Sequence, residues 1–257
     1  MKWLWRALLV LVAVPLCAAL VLFLPIMMGR LSSPAQVTLP GGLVELDDGH
    51  VNVFMVRTGG DSVILFDCGE DREAKVVLAE LKRLGLDRGA VKDIFLTHGH
   101  PDHVGGCGQF PGANVYTMVA ERPLVEGKVA PRSPFARVMG PLGDRAIKTT
   151  VPMSEGQIVR AGSVTVRAMG LPGHTAGSAA FLVVGDLILG DAAVATSGRG
   201  IRPAEWLFSD DKPAAIRSLK RLALQLEAEG APINAVAFSH SGPLDSLKPL
   251  LDWAHRN

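Results

Sequence analysis

Short apolar runs recur along the chain, each flanked by Gly, Pro or Asp, which is the pattern of buried β-strands. They cover residues 63–66, 93–96, 164–169, 187–190 and 235–239. Two longer segments, 71–84 and 211–229, repeat apolar residues at helical spacing and predict amphipathic helices that cover a sheet. Strands and helices mixed in this way predict an α/β fold.

Side chains with metal-binding chemistry follow the predicted strands. The positions are Asp67, the segment 98–103, His174, Asp191 and His240. Taken singly, each of these residues has an ordinary explanation as a turn former, a helix cap or a loop side chain. Side chains just beyond strand ends are the usual place for a site on a layered α/β scaffold. Five strand ends that supply only His or Asp therefore favour one shared site.

The segment Thr97–His103 reads Thr-His-Gly-His-Pro-Asp-His. In extended backbone, His98 and His100 point the same way, because side chains repeat every second residue. Asp102 and His103 are neighbours that face different directions, so they could serve a second ion. Imidazole and carboxylate are ligands for zinc, and for iron or manganese where the geometry differs. The spacing predicts a two-metal site.

Two further histidines, His50 and His255, follow no predicted strand. We expect both of them at surface or structural positions.

The motif Thr-His-x-His-x-Asp-His, together with Gly-His-Thr-x-Gly-Ser at 173–178, resembles the metallo-β-lactamase-fold hydrolase superfamily. The similarity covers about residues 36–257, and the motif set is glyoxalase II- or lactonase-like. The resemblance implies an αββα four-layer sandwich, with two mixed sheets face to face, helices outside and the metals at one edge.

The resemblance also implies a role for each candidate ligand. The first metal would be held by His98, His100 and His174. The second metal would be held by Asp102, His103 and His240. Asp191 would bridge the two ions, and Asp67 would orient the metal-binding loop from outside the ligand set. Asp102 is in addition the candidate catalytic residue, as the group that protonates the leaving atom.

The implied chemistry is metal-assisted hydrolysis. Two Zn²⁺ ions per chain would share a water and lower its pKa to about 7, and the metal-bound hydroxide would attack a carbonyl carbon. The expected substrate is a small molecule with an ester, thioester or lactone bond. The alternative is an oxidoreductase similar to the sulfur dioxygenases, which keep much the same motifs but use one iron. Asp191 argues against antibiotic hydrolysis, because zinc β-lactamases usually lack a bridging aspartate.

The N-terminal run 7–28 carries no charge and is flanked by Lys2, Arg6 and Arg30. A bilayer core of roughly 30 Å needs about 20 residues, so the run is long enough to cross it. We expect a membrane anchor at 1–30 with a transmembrane helix at 7–28, a linker at 31–36 and a hydrolase domain at 37–257. The catalytic domain would lie outside the cytoplasm. The alternative is a signal segment, cleaved after Ala35, that releases a secreted enzyme.

Charge and cysteine content bound the remaining functions. The net charge is +1 and no basic stripe dominates, so we expect no nucleic-acid partner. Cys68 and Cys107 are the cysteines of the exported part, and their spacing leaves open whether they pair. The basic, Pro- and Gly-interrupted stretch 121–148 predicts a cap over the metals, a surface near lipid headgroups or a solvated insertion.

Overall fold

The computed structural model describes residues 12–14, 28–139, 142–148 and 150–257. The chain divides into two units, Met1–Arg30 and Leu31–Asn257. Every strand and helix named below belongs to the second unit. The predicted transmembrane helix at 7–28 lies almost wholly outside the described residues. Within the part of the chain that is described, no helix is both long and apolar enough to span a membrane.

The first sheet has seven strands that lie side by side in chain order. They are β1 (Gln36–Thr38), β2 (Val44–Asp47), β3 (Asn52–Gly59), β4 (Ser62–Phe66), β5 (Val91–Phe95), β6 (Asn114–Met118) and β7 (Val151–Met153). Strands β1 to β4 are antiparallel neighbours, whereas β4 to β7 run parallel. Parallel neighbours need crossover connections, and these carry helices. The helices are α1 (Lys75–Arg83), α2 (Pro101–Val104), α3 (Arg122–Val125) and α4 (Pro134–Met139).

The second sheet has six strands in the order β15-β14-β11-β10-β9-β8. They are β8 (Ile158–Ala161), β9 (Val164–Gly170), β10 (Ala179–Val183), β11 (Asp186–Ile188), β14 (Ala235–Phe238) and β15 (Ser241–Leu244). A separate two-stranded ribbon pairs β12 (Ala193–Ala195) with β13 (Ile201–Pro203). The last two helices are α5 (Lys212–Glu229) and α6 (Lys248–Arg256). Strands β11 and β14 are parallel, and α5 lies in the connection between them.

Three apolar clusters define the order of the layers. One packs α1, through Leu81, against the first sheet, and another packs α6, through Trp253, against the second. The third lies between the sheets, where Phe66, Phe95 and Phe181 are in ring contact and fully buried. Each such phenylalanine contributes roughly 1.5–3 kcal/mol of hydrophobic free energy. The helix–sheet–sheet–helix order confirms the predicted αββα sandwich with mixed sheets.

Helix α5 shows how the sequence sets the ends of an element. The carboxylate of Asp211 accepts a hydrogen bond from Ala214 N at 2.8 Å, and Pro213 lies in the first turn, where its missing N–H costs nothing. The helix ends at Gly230, whose φ of 60° is left-handed. The predicted amphipathic segments 71–84 and 211–229 thus contain the observed helices α1 and α5.

Residues 31–36, the predicted linker, belong to the second unit and make hydrogen bonds within it. Leu31 N donates to Ala195 O at 2.9 Å, and Asn52 Nδ2 donates to Ser33 Oγ at 3.1 Å. Strand β1 begins at Gln36. These hydrogen bonds hold the segment against β12 and β3, the strands that carry Ala195 and Asn52.

Candidate metal centre

Five strands deliver the predicted site residues from their carboxyl ends: β4, β5, β9, β11 and β14. Parallel strands end at the same edge of a sheet, so the pair β4–β5 brings Asp67 close to the segment that follows β5. The parallel pair β11–β14 does the same for Asp191 and His240. Asp191 lies in a short 3-10 turn, Gly190–Ala192, where no side chain caps the turn.

The first cluster consists of three buried imidazoles, His98, His100 and His174. Nε2 of His98 lies 3.1 Å from Nδ1 of His100, and Nε2 of His174 lies 3.1 Å and 3.0 Å from those two atoms. The three nitrogens thus form a nearly regular triangle. A tetrahedral site with bonds of about 2.1 Å has ligand atoms roughly 3.4 Å apart, which is close to this spacing.

The second cluster consists of Asp102, His103 and His240. Oδ2 of Asp102 lies 3.4 Å from Nε2 of His240 and 3.6 Å from Nε2 of His103. Helix α2 carries both Asp102 and His103 and begins at Pro101, which favours a helix start directly after His100. This cluster combines one carboxylate with two imidazoles.

Asp191 lies between the two clusters. Its Oδ2 is 3.4 Å from Nε2 of His174 and 3.2 Å from Nε2 of His240. Its Oδ1 is 3.4 Å from Nε2 of His103. One carboxylate is therefore within reach of ligand atoms from both clusters.

Asp67 orients two of the imidazoles. Its carboxylate accepts hydrogen bonds from Thr97 N at 2.8 Å, from Thr97 Oγ1 at 2.7 Å and from His103 Nδ1 at 2.7 Å. Because the Thr97 hydroxyl donates its hydrogen to Asp67, it accepts from Nδ1 of His98 at 3.0 Å. These bonds hold a proton on Nδ1 of His98 and of His103 and turn Nε2 of each ring toward the centre, where it can bind a metal once it carries no proton.

The two clusters differ in their electrostatics. Burial lowers the pKa of His98, and it lowers the pKa of His100 to about 4 and that of His174 to about 3. The first cluster is therefore neutral at pH 7, the state in which imidazole binds metal. Burial also opposes charge on His240, but the carboxylates of Asp191 and Asp102 prevail and raise its pKa to about 10.

The surroundings of Nε2 of His103 and Oδ1 of Asp191 indicate that these residues fit a metal. Both atoms are buried and neither makes a hydrogen bond within the described chain. A buried polar atom without a partner is costly, and here the orphaned atoms are the ones that face the shared centre. Lone pairs of nitrogen and oxygen that converge in this way fit two divalent cations.

Comparison with known proteins identifies the family. The profile of the metallo-beta-lactamase superfamily matches residues 46–225. The chain belongs to the metallo-beta-lactamase superfamily.

Similar curated proteins include two named hydroxyacylglutathione hydrolase. The protein of Cupriavidus metallidurans is 36% identical over 61% of this chain and 56% of its own length. That of Xanthomonas axonopodis pv. citri is 30% identical over 70% of this chain and 58% of its own length. The chain therefore spans little more than half the length of these relatives.

Solved structures of the superfamily share the fold. A B3 metallo-beta-lactamase with an active-site glutamic acid has a TM-score of 0.65 and 18% identity, over 91% of each chain. A family member from Thermus thermophilus has a TM-score of 0.60 and 23% identity, over 88% of this chain and 78% of that one. A protein solved in a di-iron-bound form has a TM-score of 0.59 and 26% identity, over 82% of this chain and 96% of that one.

His50 lies at the rim of the candidate metal centre. The sequence pattern did not indicate this position. The ring of His50 stacks on that of His240 with centroids 5.9 Å apart, and its Nε2 is 3.8 Å from Oδ2 of Asp102. Its carbonyl oxygen accepts a hydrogen bond from Nδ1 of His240 at 2.6 Å, which turns Nε2 of His240 toward Asp102 and Asp191. His50 is exposed, as expected for a surface position, and in addition it borders the second cluster. His255 instead pairs with Glu227 on the surface, as expected.

A disulfide between Cys68 and Cys107 answers the question that spacing left open. It joins the residue after Asp67 to the segment that follows His103. Cys68 N also donates to His103 O at 2.7 Å. The loop that carries Asp67 and the loop that carries the second-cluster ligands are thus linked both covalently and by a hydrogen bond.

Part of the 121–148 stretch contacts the loop of His174. Arg132 N donates to Oδ1 of Asp210 at 3.1 Å, and Asp210 N donates to His174 O at 3.0 Å. The rings of Phe135 and Phe208 meet edge to face with centroids 5.2 Å apart. These contacts place this segment beside the first cluster.

Proposed function

We propose that this superfamily member is a dinuclear metal hydrolase that cleaves a thioester, ester or lactone bond of a small molecule with a carbonyl group. The observation that carries the proposal is the position of Asp191, whose two oxygens lie 3.2–3.4 Å from ligand atoms of both clusters. A carboxylate between two nitrogen-rich clusters is the arrangement that holds two cations close together.

The first ion would be held by His98, His100 and His174, and the second by Asp102, His103 and His240, with Asp191 between them. We propose zinc for both, and iron or manganese accept the same donors. When bound, two such ions would lower the pKa of a shared water and polarise the substrate carbonyl. The contribution of the chain is to hold Nε2 of His98 and His103 toward the centre through Asp67 and Thr97.

Asp102 is the residue that we propose as the proton carrier. Its side chain is 24% exposed, whereas that of Asp191 is 12% exposed and that of Asp67 is fully buried. Among these three carboxylates, Asp102 is therefore the one most open to an entering substrate. A group at this position can take the proton of the attacking water and pass it to the leaving atom.

A thioester is the first substrate class that we propose, because the similar proteins of two bacteria are named hydroxyacylglutathione hydrolase. The alternative is a sulfur-dioxygenase-like oxidoreductase with one iron. The complete second cluster favours two ions over one. The 26% identical relative in a di-iron-bound form keeps iron as a candidate for the same two positions.

Elemental analysis of the full chain, purified without added metal, tests this function together with an assay of thioester hydrolysis. We expect about two zinc ions per chain and hydrolysis that is lost in His240→Ala. The matched control is His255→Ala, because His255 is exposed and pairs with Glu227, which is not a proposed ligand. One iron per chain, with oxygen uptake in the presence of thiols, would favour the oxidoreductase. A chain that binds no metal would overturn both.

We also propose that the chain is a single-pass membrane protein with its catalytic domain outside the cytoplasm. The uncharged run 7–28 supports the anchor. The disulfide Cys68–Cys107 supports an exported domain, because disulfides persist in oxidising compartments. Fractionation of cells that express the full chain tests the proposal. Retention in membranes after an alkaline wash supports an anchor, whereas a soluble product that starts after Ala35 supports signal cleavage.

A further inference from the structure

Glu121, at the start of the 121–148 stretch, is fully buried and accepts three hydrogen bonds from the loops of the first cluster. Its Oε1 accepts from Gly99 N at 2.8 Å. Its Oε2 accepts from Thr175 Oγ1 at 2.9 Å and from Gly177 N at 2.7 Å. Gly99 separates His98 from His100, and Thr175 follows His174. One carboxylate therefore holds both ligand loops.

These two loops come from different sheets. His98 and His100 follow β5 of the first sheet, whereas His174 follows β9 of the second. Strand β5 pairs with its neighbours in one sheet and β9 with its neighbours in the other, and one backbone hydrogen bond, from Ala179 N to Thr97 O at 2.8 Å, joins the ends of the two loops. Glu121 supplies a direct link across that division.

The backbone packs closely around this link. A Cβ atom on Gly177 would lie 2.3 Å from Glu121 N, and one on Gly99 would lie 2.9 Å from a methyl carbon of Val125. Both distances are too short for any larger residue. The turn before α3 and the helix itself therefore pack directly against the two ligand loops. This part of the 121–148 stretch is not a loosely attached insertion.

We infer that Glu121 is a positioning residue that sets the separation between the His98–His100 pair and His174, and thereby the affinity of the first metal position. The inference rests on the proposed metal site. Groups that orient ligands from behind typically change metal affinity 10–100-fold when they are replaced. Its three hydrogen bonds come from two backbone N–H groups and the Thr175 hydroxyl, so its effect would pass through the loops that carry the ligands.

The test compares Glu121→Gln with Glu126→Gln in the full chain. The amide of Glu121→Gln keeps the size of the side chain but replaces an acceptor by a donor, which then faces an N–H or a hydroxyl. Glu126 is a matched control, because it lies in the same stretch and its carboxylate bonds Arg122, Lys128 and Thr150 instead of a ligand loop. Zinc dissociation constants are measured by competition with a chromophoric chelator, and thermal unfolding is measured on the metal-free chains.

We expect Glu121→Gln to lower the affinity for one of the two zinc ions by about 10–100-fold. That ion should be the one that His174→Ala no longer binds. The other ion should bind as in the wild type, and Glu126→Gln should change neither constant more than about twofold. Thr175→Val, which removes the hydroxyl that bonds Glu121 and Ser178 but leaves the two backbone donors to Glu121, should weaken binding of the same ion by less. If Glu121→Gln does not fold, the Thr175→Val constants decide the question.

Three results would overturn the inference. The first is unchanged zinc affinity in Glu121→Gln and Thr175→Val. The second is equal weakening in Glu126→Gln. The third is a parallel loss of both ions together with a lower unfolding temperature, which would indicate general destabilisation. Wild-type chain that binds no divalent ion would instead refute the proposed function, and this inference with it.

Discussion

Nδ1 of His103 donates a hydrogen bond to Oδ2 of Asp67 at 2.7 Å, and both side chains are fully shielded from solvent. Two more donors, the N–H and the hydroxyl of Thr97, share the same carboxylate. Asp67 itself has a left-handed φ of 59°, which is costly for a residue other than glycine. The strain is tolerated because the conformation directs the carboxylate at three donors.

Asp67→Asn is expected to destabilise the metal-free chain and to weaken the second metal position. The amide nitrogen cannot accept a hydrogen bond, so at least one buried donor is left unpaired, at a cost of roughly 1–3 kcal/mol. Metal affinity should fall about 10–100-fold. Urea unfolding and zinc titration measure the two effects. Asp93→Asn is the control, because Asp93 bonds Asn114 at the surface, and wild-type values for both variants would contradict the prediction.

Reduction of the Cys68–Cys107 disulfide is expected to destabilise the domain. The cysteines are 39 positions apart, and closing a loop of that length lowers the entropy of the unfolded chain by an amount worth about 4 kcal/mol. Urea unfolding with and without a reductant measures the difference. A chain with both Cys68→Ser and Cys107→Ser should match the reduced wild type and should not respond to the reductant. A wild type equally insensitive to the reductant would contradict the prediction.

Glu45→Gln is expected to remove a pH dependence of stability. Burial, with a smaller effect of the Asp47 charge, raises the pKa of Glu45 to about 8, and both of its carboxylate oxygens lack a hydrogen-bond partner. A carboxyl group with a raised pKa in the folded state leaves stability intact below the unfolded pKa near 4.5. Stability is then lost as the pH rises through 8.

The free energy of unfolding of wild type relative to Glu45→Gln should therefore decline between pH 5 and pH 8, by at most about 1.4 kcal/mol per pH unit. Chemical denaturation at several pH values measures this difference. Glu80→Gln is the contrast, because Glu80 pairs with Arg83 and its pKa is lowered. The relative stability of wild type and Glu80→Gln should stay level over the same range. If the free energy of unfolding of wild type relative to Glu45→Gln also stays constant between pH 5 and pH 8, the prediction is refuted.

Gly173→Ala is expected to disturb His174, the next residue. A Cβ on Gly173 would lie 2.1 Å from Ala215 N, and its φ of 140° disfavours any side chain. The backbone must shift, so we expect both a lower unfolding temperature and a loss of one bound zinc. Gly156→Ala is the control, because Gly156 also has a positive φ but nothing within 4 Å of an added Cβ. It should lose about 1–2 kcal/mol and keep its zinc, and equal zinc content in the two variants would contradict the prediction.

The sequence by itself predicted an α/β fold and the set of candidate ligands, and the resemblance of its motifs to the superfamily implied the αββα layers. Strand and helix positions follow from local periodicity, and the observed β4, β5, β9, β11 and β14 overlap the apolar runs that predict them. The ligands stand directly after those strands, so chain order already groups them. Parallel pairing of β4 with β5 and of β11 with β14 then brings their ends together.

Only the tertiary structure decided three further contacts around the ligands. His50 stacks on His240 across 190 positions, Cys68 bonds Cys107, and Glu121 joins loops that follow strands of different sheets. None of these residues belongs to a local pattern, because each acts through a contact with a distant segment of the chain. Periodicity reports which face of an element is buried, whereas the partner on that face depends on how the two sheets pack.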